Sequence, residues 1–433
     1  MLEANGRQAW LVAILLFFFT AVNFMDKLVM GLAAVPIMKE FQLTPSQYGA
    51  AAGSFFFLYA VSGLLVGLFV VQHVSPKWLL VALVLIWTIA QAPLVLGSSV
   101  LALYAGRILL GIGEGPATPS AYHALYGWFT SDRRNLPTSV LLAGVGTGFL
   151  VGPPLLAHVI ADFGWRSSFL LCACIGLLWM AAWVLFGADG PLIARHDNPV
   201  AEPNRVPWRT FWSDPTIVGN AVVALCCYWL TGLSITWLAP YLQLGLGYSP
   251  QDTAWLVSVI LGSQIVVQVS ISWMSHRMLL AGRSSRVSRG MVMSASVLLA
   301  GMALALATVT EQPALKILLL TAAFTMPQIA FVIGPAIIGE VAAPSQRGTA
   351  LLVTYSVITV SALLSPMITG GLVQASGEDP LTGYTHALWL TGLVLALGGC
   401  AGMAMLNPEA TCARFRQING AVPPLGTARP AAI

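Results

Sequence analysis

Four ionisable side chains stand inside long apolar stretches of this sequence: Asp26, Lys27, Arg107 and Glu114. A charge at the depth of a lipid bilayer costs roughly 2.5–3.5 kcal/mol on insertion scales, so such residues are functional candidates by default. Arg107 and Glu114 are seven residues apart, two helical turns, and so share one helix face. Ionised together, the four charges sum to zero. Protonating Asp26 and Glu114 leaves Lys27 and Arg107 as two uncompensated cations in a low-dielectric cavity, which then attracts a carboxylate. Loss of the protons expels it. Proton and anion binding are coupled in this way by linkage. The competing reading makes the four residues buried ion pairs that hold two spans together.

Beyond the charges, Tyr59, Tyr228, Trp229, Trp237, Gln264 and Tyr355 offer stacking surfaces and hydrogen bonds, although aromatics in spans also serve as packing and interface belts. Gln264 and Gln268 share a helix face, and amides at such depth need partners. His123, His158 and His386 fall near span ends and read as interfacial. Glu340 lies close to Arg347 across a turn, which suggests a loop ion pair. No metal-ligand spacing, nucleophile elbow or phosphate loop appears, so no catalytic residue, metal or cofactor is expected. Cys172 and Cys174 point about 200° apart on a helix and, with the other four cysteines, read as structural thiols.

Long apolar helices must position these residues. Of the 433 residues, 57% are hydrophobic and only 8% charged, where a soluble domain carries about 25% charged residues. The mean hydropathy is +0.81. Lipid is the solvent such a surface needs. Runs long enough to span a bilayer fall near 9–36, 46–71, 78–97, 100–128, 136–161, 166–187, 212–243, 252–276, 287–309, 313–342, 347–375 and 384–407. The fold class expected is therefore an all-α membrane protein with 12 transmembrane helices in two six-helix bundles. The bundles are residues 1–188 and 211–408, joined by a polar linker at 189–210. The tail at 409–433 is rich in Ala, Pro and Gly and is expected to be disordered.

Lys77, Arg133, Arg134, Arg195, Arg205, Arg209, Arg277, Arg283, Arg286, Arg289 and Arg347 fall in one set of loops, and Arg414 and Arg416 in the tail. The alternate loops carry mainly Asp162, Asp252, Glu311, Glu378 and Asp379. This asymmetry predicts both termini in the cytoplasm of a cell with an inner (plasma) membrane. The net charge of +4 is spread over short loops and makes no nucleic-acid footprint. The first apolar run continues into Asp26 and Lys27 without a small-residue cleavage site, so no removable signal peptide is expected.

Several segments carry a resemblance: NFMDKLVMG in the first span, SFFFLYAVSG in the second and GRILLGIGEGPATPS in the fourth. WFTSDRRNLPTS, GVGTGFLVGPP, GWRSSF, WLAPYL, SHRMLLAGRSSR and EVAAPSQRGTA follow in order. The chain resembles the major facilitator superfamily, specifically its anion:cation symporter family of organic-anion/proton carriers. The resemblance implies proton coupling at Asp26 and Glu114, anion recognition at Lys27 and Arg107, and a role for Tyr59 in binding. Three segments depart from the family pattern. Lys27 stands where Arg is usual, with Phe24 where Tyr is usual; Gln72-His73 replaces Asp-Arg; and Thr359, seven residues before Pro366, stands where sugar-acid carriers tend to have Asn. Phe24, Thr359 and the aromatic-rich spans tilt the expected substrate from a sugar acid towards a less hydroxylated or aromatic monocarboxylate. The expected activity is proton-coupled import of a small organic anion by a monomer in the lipid bilayer. Proton-driven efflux of an acid or drug is the alternative.

Overall fold

The computed structural model describes residues 2–71, 73–130, 133–192 and 206–418. Among these, eleven helices are long and apolar enough to cross a membrane. In chain order they are α1 (Gly6–Leu32), α2 (Pro45–Val70), α3 (Pro76–Leu96), α5 (Leu136–Phe163), α6 (Trp165–Phe186), α7 (Pro215–Gly245), α8 (Pro250–Leu280), α9 (Arg286–Val309), α10 (Pro313–Val341), α11 (Gln346–Ala375) and α12 (Pro380–Met405). The twelfth span, α4, is broken: Val100–Glu114 and Ala117–Tyr126 flank Gly115-Pro116. Proline has no N–H to continue the ladder, so the helix interrupts there, next to Glu114.

The expected twelve-span, two-bundle architecture is what forms, and the packing repeats between halves. In the first half α1 packs on α5 and α3 on α6; in the second α7 packs on α11 and α9 on α12. One bond shows the repeat at atomic detail. Arg134 Nε donates to the Phe129 carbonyl five residues back at 2.9 Å, and Arg347 Nε donates to the Ala342 carbonyl five residues back at 3.1 Å. Arg347 is thus engaged by backbone, and Glu340 instead pairs with Arg289 at the start of α9. That corrects the Glu340–Arg347 expectation, because helix pairing outranks sequence proximity.

Much of the linker (193–205), Gln72 of the Gln72-His73 departure, and 419–433 of the tail lie outside the described residues. The tail's expected disorder does not hold over its first part, where Pro408–Ile418 is a helix. Asp214, at the head of α7, accepts from Thr411 Oγ1 at 2.8 Å and from Arg414 at 2.6 Å, while Phe415 packs on Phe211 at 6.0 Å. The Glu409 carboxylate accepts from the Ser285 amide at 2.8 Å. These contacts, with Thr411 and Phe415 buried, offset the ordering entropy that the tail's average composition suggested would win.

The halves meet most closely on the side away from the linker. A Cβ on Gly31 of α1 would come within 2.4 Å of the Ile235 carbonyl of α7, and one on Gly49 of α2 within 2.3 Å of the Pro366 carbonyl of α11. Trp237 joins this seam, donating to the Pro366 carbonyl at 3.0 Å and packing on Tyr48 and Tyr384. Helix α8 is interrupted at Ser263; its first segment packs on α5, where Ser258 donates to the Leu150 carbonyl at 2.8 Å. Towards the linker the second segment of α8 has little contact with α5, whereas α2 and α11 stay together as far as Gly67 and Leu352. Of the α5 glycines, Gly144 and Gly148 pack against Phe17 and Ala21 of α1 within one bundle, and Gly146 faces Ile265 across the halves. Gly49→Val should cost about 1–3 kcal/mol by overpacking the seam and open it on the far side, read as a lower melting temperature and new alkylation of a cysteine placed at Ala52.

At that far side Glu40 accepts from Trp165 Nε1 and from Arg166, each at 2.7 Å. Partial desolvation pushes the Glu40 carboxyl up, but the hydrogen bonds from Trp165 and Arg166 outweigh it and hold it below the ordinary value of 4.5. The folded form therefore favours the carboxylate. Its contribution to stability is present above the unfolded value and fades as pH falls through the lowered folded one. Glu40→Gln should accordingly lower the melting temperature at neutral pH, with the gap to wild type closing below about pH 4.

Candidate functional site

Helix α4 carries two of the four charges and is built to let neighbours approach. A Cβ on Gly111 would lie 2.2 Å from the Phe55 carbonyl, and one on Gly115 equally close to that of Tyr59. Glycines four residues apart on one face let the backbones of α2 and α4 touch, as small residues do between membrane helices. The result sets Tyr59 against Glu114 and Phe55 against Arg107. Gly113 faces the other way, against Trp87 of α3, and brings that helix close too.

The four charges come together and are buried: Asp26 and Glu114 at 0% exposure, Arg107 at 2% and Lys27 at 7%. Lys27 Nζ lies 2.8 Å from Glu114 Oε2, joining α1 to α4. It also donates to Asn23 Oδ1, one turn back on α1. Its ammonium sits over the Phe24 ring at 4.5 Å and faces the Tyr59 ring at 5.7 Å. The Asp26 carboxylate accepts from Gln91 Nε2 of α3 at 2.7 Å. Glu114 and the Cys172 thiol of α6 also adjoin it. Arg107 lies over the Phe55 ring at 4.7 Å, and its Nε and Nη1 are buried without a hydrogen-bond partner. A guanidinium with unspent donors is the one cation here not matched by a carboxylate at hydrogen-bonding distance.

Opposite the charges, three tyrosine hydroxyls gather across the seam between halves: Tyr59 of α2, Tyr228 of α7 and Tyr355 of α11, with Thr359 beside Tyr228. The Tyr228 and Tyr355 rings meet edge to face at 5.5 Å. Phe24, half-buried, packs on Phe149 at 5.4 Å and closes one wall.

Of the predicted site residues, Asp26, Lys27, Arg107, Glu114, Tyr59, Phe24, Tyr355 and Thr359 fall in this region. Trp237 does not; it belongs to the far seam, beside a cavity of about 10 Å³ lined by Tyr241, Phe324 and Tyr384, too small to hold more than a water. Gln264 is half-buried beside the break in α8, while Gln268, a turn further on, donates to the Gln328 carbonyl at 3.1 Å. Asn23, Gln91, Cys172 and Phe55 belong to the site and were missed. Two of them carried a signal: Asn23 is four residues from Lys27, and Gln91 is a lone amide deep in an apolar span.

The sequence matches the family model described as Major Facilitator Superfamily over residues 15–326. The chain belongs to that superfamily. Among its relatives, a protein named as a probable sulfoacetate transporter, SauU, of Cupriavidus necator is 26% identical over 90% of this chain and 92% of its own. The hexuronate transporter of Bacillus subtilis is 25% identical over 58% of this chain and 61% of its own. Among solved structures, a bacterial homolog of the human lysosomal transporter Spinster, inward-facing and unoccupied, superposes with a TM-score of 0.78. That match has 17% identity and covers 94% of this chain and 98% of that one. The major facilitator fold is thus shared across nearly the whole length, and these relatives and neighbours are transporters rather than enzymes. In such folds substrate binds near the midplane between the two halves.

Proposed function

We propose that this facilitator imports a small organic anion together with protons, by alternating access. The observation that carries the reading is the buried group of two acids and two bases in which Arg107 keeps two unpartnered donors. Anion recognition falls to Arg107 and Lys27. Lys27 becomes available when Glu114 takes a proton and releases it. Asp26 and Glu114 carry the protons, and Tyr59, Tyr228, Tyr355 and Thr359 shape the far wall of the site. A lysine offers a point charge rather than a planar fork, so Lys27 tolerates varied carboxylate or sulfonate geometry.

Supporting this, the two relatives above are named for acids, and SauU, matched over 92% of its own length, is named for sulfoacetate, a small acid without hydroxyl groups. The wall is aromatic, with Phe24 and Thr359 where more polar side chains would serve a polyhydroxylated substrate. The basic loops at the linker side support a reading with that side and both termini in the cytoplasm, the chain acting as a monomer in an inner membrane.

A thermal-shift screen of the purified protein tests this, with sulfonates, aromatic acids, sugar acids, dicarboxylates and cationic drugs at acidic and neutral pH. A ligand that binds only the folded state raises the melting temperature by mass action. One class of anion should stabilise the protein, and more strongly at acidic pH. Stabilisation by cationic drugs alone would overturn the reading in favour of efflux.

A further inference from the structure

Gln91 is a buried amide, 1% exposed, in the otherwise apolar face that α3 turns to the charges. Its Nε2 donates to Asp26 Oδ2 at 2.7 Å, while its own Oε1 and Asp26 Oδ1 are buried with no partner. The ionisable groups that act on Asp26 are Lys27 on its own helix, Glu114 and Arg107 from α4, and Cys172 from α6. Gln91 is the neighbour that carries no charge and yet offers both a donor and an acceptor.

We infer that Gln91 is the positioning residue for the Asp26 proton, an amide that bonds either protonation state by turning over. With Asp26 ionised, the amide N–H donates to the carboxylate, as observed. With Asp26 protonated, the carboxylic O–H becomes the donor and the amide, rotated about its last side-chain bond, presents Oε1 to accept it. One hydrogen bond is kept in each state, so the proton can come and go without stranding Asp26 in the core. The two bonds are unequal. A hydrogen bond to a charged acceptor is about twice as strong as a neutral one, so the amide on balance favours the ionised form and helps the proton leave. No other side chain at the site combines this reach with this neutrality: Asn23 Oδ1 is taken by Lys27, which leaves that amide a donor only, and Cys172 is a weak donor.

The inference rests on Asp26 as a proton carrier, but it can be tested without transport or a known substrate. Infrared titration of the full-length protein in lipid nanodiscs would follow the carboxylic acid C=O stretch, and the band missing from Asp26→Asn identifies Asp26. Gln91→Met keeps the length of the side chain and removes both polar atoms. The Asp26 band in that variant should titrate about one pH unit higher and move to higher frequency, because its hydrogen bond is gone. Gln91→Glu, whose carboxyl has the same reach and can donate when neutral, should restore a hydrogen-bonded frequency. Melting curves confirm that each variant is folded. An unmoved midpoint and frequency in Gln91→Met, or a wild type in which no Asp26 band titrates, would overturn the assignment. Failure of acids to stabilise the protein in the screen above would sink the transport reading alone.

Discussion

Lys27→Ala is expected to remove anion binding and, separately, to weaken the fold. Lys27 is the partner that matches Glu114, at 2.8 Å and with both side chains buried. Removing one member of a buried ion pair leaves an uncompensated charge and typically costs about 3–5 kcal/mol, unless the remaining acid takes a proton. The loss of stability should therefore be larger at neutral than at acidic pH. Binding is a different quantity. If Lys27 only braced α1 against α4, then Lys27→Ala combined with Glu114→Gln, which removes the stranded charge, should recover both the melting temperature and the ligand-induced shift. If it also holds the anion, the double variant should melt nearly as wild type and still bind at least tenfold more weakly, about 1.4 kcal/mol or more. Recovery of both would return Lys27 to the scaffold and leave recognition to Arg107.

The pair illustrates what sequence does and does not carry. Asp26, Lys27, Arg107 and Glu114 are legible because charge in an apolar run is expensive, and expense at that depth points to use. Their pairing is not legible. The two-turn spacing of Arg107 and Glu114 puts both on one face of α4, but which of the two meets Lys27 depends on how α1 and α4 lie against each other. The backbone contacts at Gly111 and Gly115 seat α4 against α2, and where α1 then falls is a matter of tertiary packing that spacing does not show. The same blindness explains Trp237. An aromatic in a span can line a cavity or seal a seam, and only the approach of Pro366 decides it. Glu340 went to Arg289 rather than to nearby Arg347 because α9 and α10 begin and end on the same face. The tail helix was hidden by averaging: the Ala, Pro and Gly of 419–433 dilute a short segment whose Thr411, Arg414 and Phe415 all find partners at the head of α7. The number of spans, by contrast, follows from hydropathy, apart from the break at Gly115-Pro116 that divides α4.

Asp26→Asn should separate coupling from binding. Asparagine has the size of a protonated aspartate and can still accept from Gln91, so the bundle has no reason to rearrange. What changes is charge. With position 26 held neutral, the buried group can no longer return to zero by releasing a proton there, and the excess positive charge persists at every pH. Anion binding should survive and lose much of its dependence on pH. Accumulation should not survive. One proton moving down a one-unit pH gradient supplies about 1.4 kcal/mol, enough to concentrate an anion about tenfold; in Asp26→Asn that contribution falls away and the internal level should stop at the external one. Exchange of labelled for unlabelled anion across proteoliposomes requires no net proton movement and should continue. The informative comparison is therefore uptake against exchange in the same vesicles. Loss of uptake with exchange intact assigns the proton to Asp26. Loss of both would make Asp26 a structural or anion-site residue, and accumulation at the wild-type ratio would leave Glu114 as the carrier.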